Sequence, residues 1–148
     1  MAIPAIEEFL QPISAERPSG QDLRYDTISE QIKEARRRED DGNQGVWKRA
    51  VKESDYKLTV KLCREALTKK GKDLQIAAWL TDAWLAQEGF KGLLAGLRLV
   101  RGLMEQFWDT LYPEIEDGDL ELRATPLDWI GSQLDGSLKS VPILKAGL

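Results

Sequence analysis

The 148 residues have the size of one ordinary domain, and 42% hydrophobic with 31% charged residues is the composition of a globular chain, not a disordered one. The formal net charge of −4 opposes the field that a sequence-independent nucleic-acid binder needs, so no nucleic-acid partner is expected. The chain has no histidine and a single cysteine, Cys63, which removes the commonest general base, an intrachain disulfide and a thiolate zinc cluster.

The opening stretch carries Pro4, Pro12 and Pro18 with acidic Glu7 and Glu8, which is no signal peptide; it holds at most a short helix near Ala5 to Leu10. Arg17-Pro18-Ser19-Gly20 reads as a turn, because proline fixes φ and glycine accepts positive φ. From about Asp26 to Arg38, Tyr25, Ile28, Ile32 and Ala35 form one narrow apolar stripe on a charged helix, so this helix belongs at the periphery. Glu39 to Gly45 reads as a loop, and Val46 to Val51 as a short helical piece.

Ser54 or Asp55 is placed to cap a helix over Tyr56 to Lys69, with Thr59, Val60, Cys63, Ala66 and Leu67 on one side. Asp73 caps the next, Leu74 to Glu88, which is apolar around most of its circumference and is therefore the central helix. Gly89 ends it, and a helix over about Lys91 to Leu111 follows at once, forcing an antiparallel hairpin. On this second arm the large apolar residues Leu93, Leu97, Val100, Met104, Phe107 and Leu111 recur at helical spacing, while Gly92 and Gly96 beside them allow close backbone approach. Its most apolar stretch is broken by Arg98, Arg101 and Glu105, so no membrane insertion is expected. Pro113 stops it, an acidic loop follows, and a last short helix starts at Thr125-Pro126 with Thr125 as N-cap. From Asp135 onward the composition is linker-like. No alternating strand pattern occurs, so the class is all-α, a multi-helix domain around a central antiparallel hairpin.

The residues offer little chemistry. Asp117, Asp119 and Glu121 resemble the first half of a calcium loop, but the glycine is Gly118 rather than the residue after the third ligand, so no metal site is assigned. Cys63 sits mid-face on an apolar helix with no histidine to activate it and reads as a small core hydrophobe. Arg36-Arg37-Arg38, followed directly by Glu39, Asp40 and Asp41, reads as a solvated helix end or an intramolecular ion-pair cluster. Trp79, Trp84 and Trp108 fall on core faces; Trp47 and Trp129, in peripheral elements, read first as core-edge residues and otherwise as the candidate interface anchors. No catalytic residue and no cofactor is assigned, and the chain is not expected to be an enzyme.

Two segments carry a resemblance. The first is Pro18 to Asp26, with Gly20, Asp22, Leu23, Arg24 and Tyr25, followed by Glu34 to Arg37. The second runs through Lys72-Asp73-Leu74, Trp79, Gly89 to Leu93, Gly96-Leu97, Trp108 to Pro113 and Asp119 to Arg123. Together, over roughly Ile13 to Leu134, they resemble the ImpA-type N-terminal domain of the TssA proteins of type VI secretion, apart from Tyr112 where many relatives are expected to carry histidine and Gly71 where serine is common.

The resemblance implies a cytoplasmic, non-catalytic assembly module whose partners are baseplate, tail-tube and sheath subunits. It leaves two alternatives: a relative at the sheath end that stops sheath extension, or a homodimerisation module. It also implies a C-terminal region beyond these residues, with 1–135 as the helical domain and 136–148 as a tail leading toward it. Among its polar positions, Arg24 or Arg123 is expected to pair with a loop aspartate and lock the N-terminal turn against the segment from Trp108 to Arg123.

Overall fold

A computed structural model of the chain describes residues 3–37 and 55–139. A short 3-10 turn, Glu7–Leu10, precedes five α-helices: α1 Thr27–Arg36, α2 Tyr56–Lys69, α3 Leu74–Glu88, α4 Phe90–Phe107 and α5 Glu121–Lys139. Among the described residues there is no strand, only isolated bridges such as Gly20 with Gly71 and Asp73 with Tyr112. The all-α class stands. Trp47, the expected loop from Glu39 to Gly45, the helical piece at Val46 to Val51 and the tail from Ser140 onward lie outside the described residues.

Local chemistry explains the helix ends. Asp26 accepts from Ile28 N at the start of α1, Asp55 from Leu58 N at α2, and Asp73 from both Gln75 N and Ile76 N at α3. Each short carboxylate satisfies a donor that the helix cannot. Gly89, with φ of 64°, ends α3 and leads straight into α4, so a single residue closes the hairpin.

The central position of α3 follows from its composition. It packs against α2, α4 and α5, and every residue from Leu74 to Leu85 except Gln75 is buried. The core around it joins Phe9, Leu23, Ile28 and Ile32 to Leu67, Leu80, Leu99, Leu103 and Leu111. Phe9 meets Trp84 edge-on with ring centroids 5.9 Å apart, which ties the opening turn to the hairpin.

Between α3 and α4 the helices come very close. A Cβ on Gly92 would lie 2.0 Å from the Trp84 carbonyl oxygen, and one on Gly96 would lie 2.4 Å from the Thr81 side chain. Close approach through these glycines turns α4 about its axis relative to the expected face. Gly92, Ala95, Gly96, Leu99, Val100, Leu103 and Phe107 are buried. Leu97 is instead exposed, and Leu93 and Met104 are half-buried.

Further expectations are corrected. Helix α4 ends at Phe107, and Trp108 beyond it is 40% exposed rather than a core residue. Helix α5 starts at Glu121, capped by Asp119 Oδ1 at 2.8 Å from Glu121 N, so Pro126 lies inside it and Thr125 is no N-cap. It continues to Lys139, past the position where linker was expected. Tyr25, read as part of the α1 stripe, is 89% exposed because it precedes the helix and points away from it.

Candidate functional site

Three loops meet beside the start of α3, and the hydrogen bonds between them are mostly main-chain. Gln21 N donates to Lys70 O at 3.0 Å, Lys72 N to Ser19 O at 2.8 Å, Tyr112 N to Lys72 O at 3.0 Å and Leu74 N to Tyr112 O at 2.9 Å. The Ser19 and Thr110 hydroxyls share a hydrogen bond of 2.6 Å, and the Tyr112 hydroxyl donates to Gly20 O at 3.2 Å. Gly20 has φ of +69°, and any Cβ there would lie 2.2 Å from Lys70 O. Only glycine lets these two loops touch. The peptide bond between Tyr112 and Pro113 is cis.

Two buried cations hold this junction. Lys72 is fully buried; its Nζ donates to Phe9 O and Leu67 O, each at 2.7 Å, and lies 5.4 Å from the Phe107 ring centroid. Burial pulls its pKa down to about 8. Arg123, from α5, is 2% exposed and spreads its guanidinium over main-chain oxygens: Pro113 O at 2.9 Å, Trp108 O at 2.6 Å, and Leu111 O. The Trp108 ring lies 4.7 Å away beneath it. Burial lowers the Arg123 pKa, with Asp109 and Glu114 acting in the opposite sense.

The expected arginine–aspartate lock is therefore replaced. Arg24 pairs with Asp22, two residues away on the same turn, at 3.3 Å, and both side chains are well exposed. Asp22 Oδ1 also accepts from Arg24 N at 2.9 Å, so this is a local turn and joins no distant segment. Arg123 is anchored by carbonyls instead of a carboxylate. The locking is done by Ser19, Tyr112 and the main chain. Tyr112 departs from the histidine expected in many relatives, and its hydroxyl makes one of these bonds. Leu23 is fully buried and its carbonyl accepts from the Ser29 hydroxyl at 2.5 Å, which seats α1 on the turn.

Beside this junction opens a cleft of about 500 Å³, between the turn at Asp22, helix α1, the first two turns of α3, Pro113 and helix α5. Ile76, Trp79, Pro113, Leu122, Pro126 and Trp129 supply its apolar lining. Arg36 crosses it, with its guanidinium carbon 5.7 Å from the Trp79 ring centroid and 4.9 Å from that of Trp129. Its Nη2 lies 3.6 Å from Asp82 Oδ2. Arg36 is thus no solvated helix end; it forms an intramolecular ion pair, is stacked between two tryptophans and ties α1 to α3 and α5. Trp129, an expected anchor, is half-buried as one wall of this stack.

Two polar groups in the cleft stand out. Asp73 caps α3, and burial raises its carboxyl to a pKa of about 6 against the opposing pull of its two backbone hydrogen bonds. Gln75 Nε2 is buried and has no hydrogen-bond partner among the described residues. Among the described residues no group of three metal-ligating side chains converges, and Asp117, Asp119 and Glu121 surround a turn in which Asp119 serves its own helix. Cys63 is fully buried, and desolvation pushes its thiol pKa up, so it is not poised as a nucleophile. No described helix is long and apolar enough to cross a membrane.

Comparison with known proteins agrees with this picture. Residues 10–132 match the family model described as ImpA, N-terminal, type VI secretion system. The chain is 30% identical over 111 residues to the type VI secretion system component TssA1 of Pseudomonas aeruginosa, a stretch covering 75% of this chain and 32% of that protein. It is similar, with a TM-score of 0.81 and 34% identity, to the N-terminal domain including the conserved ImpA_N region of the TssA component from Burkholderia cenocepacia; the match covers 98% of this chain and 53% of that one. The chain thus spans about a third of the curated relative and about half of the solved one. With that match over most of its length, and with the helical hairpin and three-loop junction built from the residues that carry the resemblance, the chain belongs to the ImpA N-terminal family of type VI secretion proteins.

Proposed function

We propose that this domain is a non-catalytic assembly module of a type VI secretion apparatus, binding baseplate, tail-tube or sheath subunits in the cytoplasm. The observation that carries the reading, given the family, is how the buried charges are used. The side-chain hydrogen bonds of Lys72, Asp73 and Arg123 go to main-chain groups, and Asp82 faces Arg36. Such charges fix a surface; a catalytic site would leave an acid or base aimed at a reacting atom. The exterior is left with recognition by shape and by aromatic and arginine side chains, the groups that anchor protein interfaces.

Affinity capture tests this. The tagged chain is incubated with lysate of cells expressing the apparatus, and with lysate of otherwise identical cells lacking it. Enrichment of baseplate, tube or sheath subunits is the expected outcome. Their absence over the control would remove the reading.

Self-association is the second reading, favoured by one feature. Phe90, Leu94 and Leu97 are 50%, 39% and 44% exposed and lie at helical spacing on the outer face of α4. A stripe of that kind suits a two-fold contact between copies. Sedimentation at several concentrations separates the readings, because only a dimer gives a concentration-dependent mass.

A further inference from the structure

We infer that the cleft beside Trp129 is a docking site for a short acidic, aliphatic segment of a partner protein. The inference rests on the reading of the domain as a protein-binding module and names where and what it binds.

Four observations on the same few residues support it. The volume of about 500 Å³ is that of a site for a few side chains. The lining is dominated by Ile76, Trp79, Pro113, Leu122, Pro126 and Trp129, and Leu122 is 41% exposed, so aliphatic side chains entering the cleft would bury apolar surface on both partners.

Gln75 Nε2 carries two N–H donors in a buried position with no acceptor among the described residues. A buried donor left in this state costs free energy, and a main-chain or carboxylate oxygen of an incoming segment would relieve it.

Charge gives the fourth. The chain is net negative, yet the cleft presents three cations, Arg24, Lys33 and Arg36, the last of them paired with Asp82, against two carboxylates, Asp22 and Asp73. Arg24 and Lys33 are about half exposed; among the described residues they form ion pairs with Asp22 and Glu30 on their own turns, at 3.3 Å and 3.2 Å, and Arg24 also lies 5.6 Å from the Tyr25 ring centroid. Exposed pairs of that kind are worth little, so both cations can turn to an incoming carboxylate at small cost. Of the two carboxylates, Asp73 is 6% exposed and uses Oδ1 for the helix cap, and Asp22 uses Oδ1 for its own turn and Oδ2 for Arg24. A basic segment would meet two exposed cations against one exposed carboxylate, Asp22.

Nuclear magnetic resonance on the nitrogen-labelled full chain tests this with three capped tetrapeptides: Glu-Leu-Leu-Glu, Gln-Leu-Leu-Gln and Lys-Leu-Leu-Lys. The acidic peptide should cause saturable shifts in the Gln75 side-chain amide and in the indole N–H signals of Trp79 and Trp129. The neutral peptide should do so more weakly and the basic one not at all. Gln75→Leu should weaken the acidic peptide by about tenfold, the size of one lost hydrogen bond to a charged group. The rim reversal Arg24→Glu with Lys33→Glu, on exposed side chains that the fold does not need, should abolish its binding. The inference is overturned by absence of shifts at these three residues, by equal shifts from the basic peptide, or by full affinity in the rim reversal. The titration uses the purified chain alone, so it decides the cleft independently of the capture experiment; an empty capture would remove the assembly reading and leave the peptide result standing.

Discussion

Replacing Gly92 by alanine sets two opposed effects against each other, and the geometry decides between them. Alanine is favoured over glycine inside a helix by about 1 kcal/mol, so by propensity alone the change should stabilise α4. The new Cβ, however, would lie 2.0 Å from the Trp84 carbonyl oxygen and 2.4 Å from its carbon. Both are backbone atoms of the central helix, which cannot rotate away as a side chain can. The arms of the hairpin must separate by more than 1 Å at this level to reach ordinary van der Waals distance, and the contacts of Leu99 and Leu103 loosen with them. Overpacking of this kind costs about 1–3 kcal/mol and sometimes more, so a net loss of about 2 kcal/mol is expected.

Gly131 supplies the control. It lies in α5, is exposed, and a Cβ there meets nothing within 4 Å, so Gly131→Ala should gain about 0.5–1 kcal/mol. Gly102 falls between, because its Cβ would meet only the end of the Leu10 side chain at 2.8 Å, which can shift. Urea unfolding followed by far-ultraviolet circular dichroism should rank the stabilities as Gly131→Ala, wild type and Gly102→Ala together, then Gly92→Ala. In thermal melts the last should fall by about 5 °C. A Gly92→Ala variant as stable as wild type, with Gly131→Ala stabilised, would show that the arms do not touch at this point.

The remaining predictions use the same unfolding assay. Arg123→Met should cost about 3–5 kcal/mol, because it strands the carbonyls of Trp108, Leu111 and Pro113; a loss below about 1 kcal/mol would show that those oxygens find water. Asp73 has a folded pKa of about 6, raised above the ordinary value of 3.8, so the native state binds the extra proton. Its contribution is therefore fully present below pH 3.8 and is lost as pH rises through 6. Asp73→Asn keeps an acceptor for the cap but cannot ionise, so its stability relative to wild type should improve between pH 4 and pH 7; a relative decline would show that the cap needs the charge. Trp84→Ala, at the centre of the hairpin against Phe9, should cost about 3–5 kcal/mol, and an unchanged melting temperature would contradict the central position of α3.

The elements with strong local signals were legible before any coordinates. Helix α3 runs between its expected ends because Asp73 caps it and Gly89 permits the reversal. The close approach at Gly92 and Gly96 was also legible, but its consequence was not. Once the glycine side faces α3, Leu97 turns outward while Val100, Phe107 and Leu111 stay buried, so a pattern that weighs side-chain size alone finds the face but misplaces its centre. Pro126 was read as a helix start because proline is favoured there, whereas Asp119 begins the helix earlier and the chain carries proline within it. Hardest to foresee were the buried cations. Lys72 and Arg123 are inside because particular carbonyls, of Phe9 and Leu67 for the one and of Leu111 and Pro113 for the other, are left at helix ends and turns that fold back on them, and no local pattern records where a carbonyl will be stranded. Arg36 hid within a run of three arginines; only the fold gives it Trp79 and Trp129 as neighbours.

The most direct test of the account is surface plasmon resonance of the immobilised chain against purified baseplate, tail-tube and sheath subunits, presented one at a time. Saturable binding to at least one of them is expected. If none of these subunits binds at any concentration reached, while the immobilised chain remains folded, the account of the domain as an assembly module is contradicted.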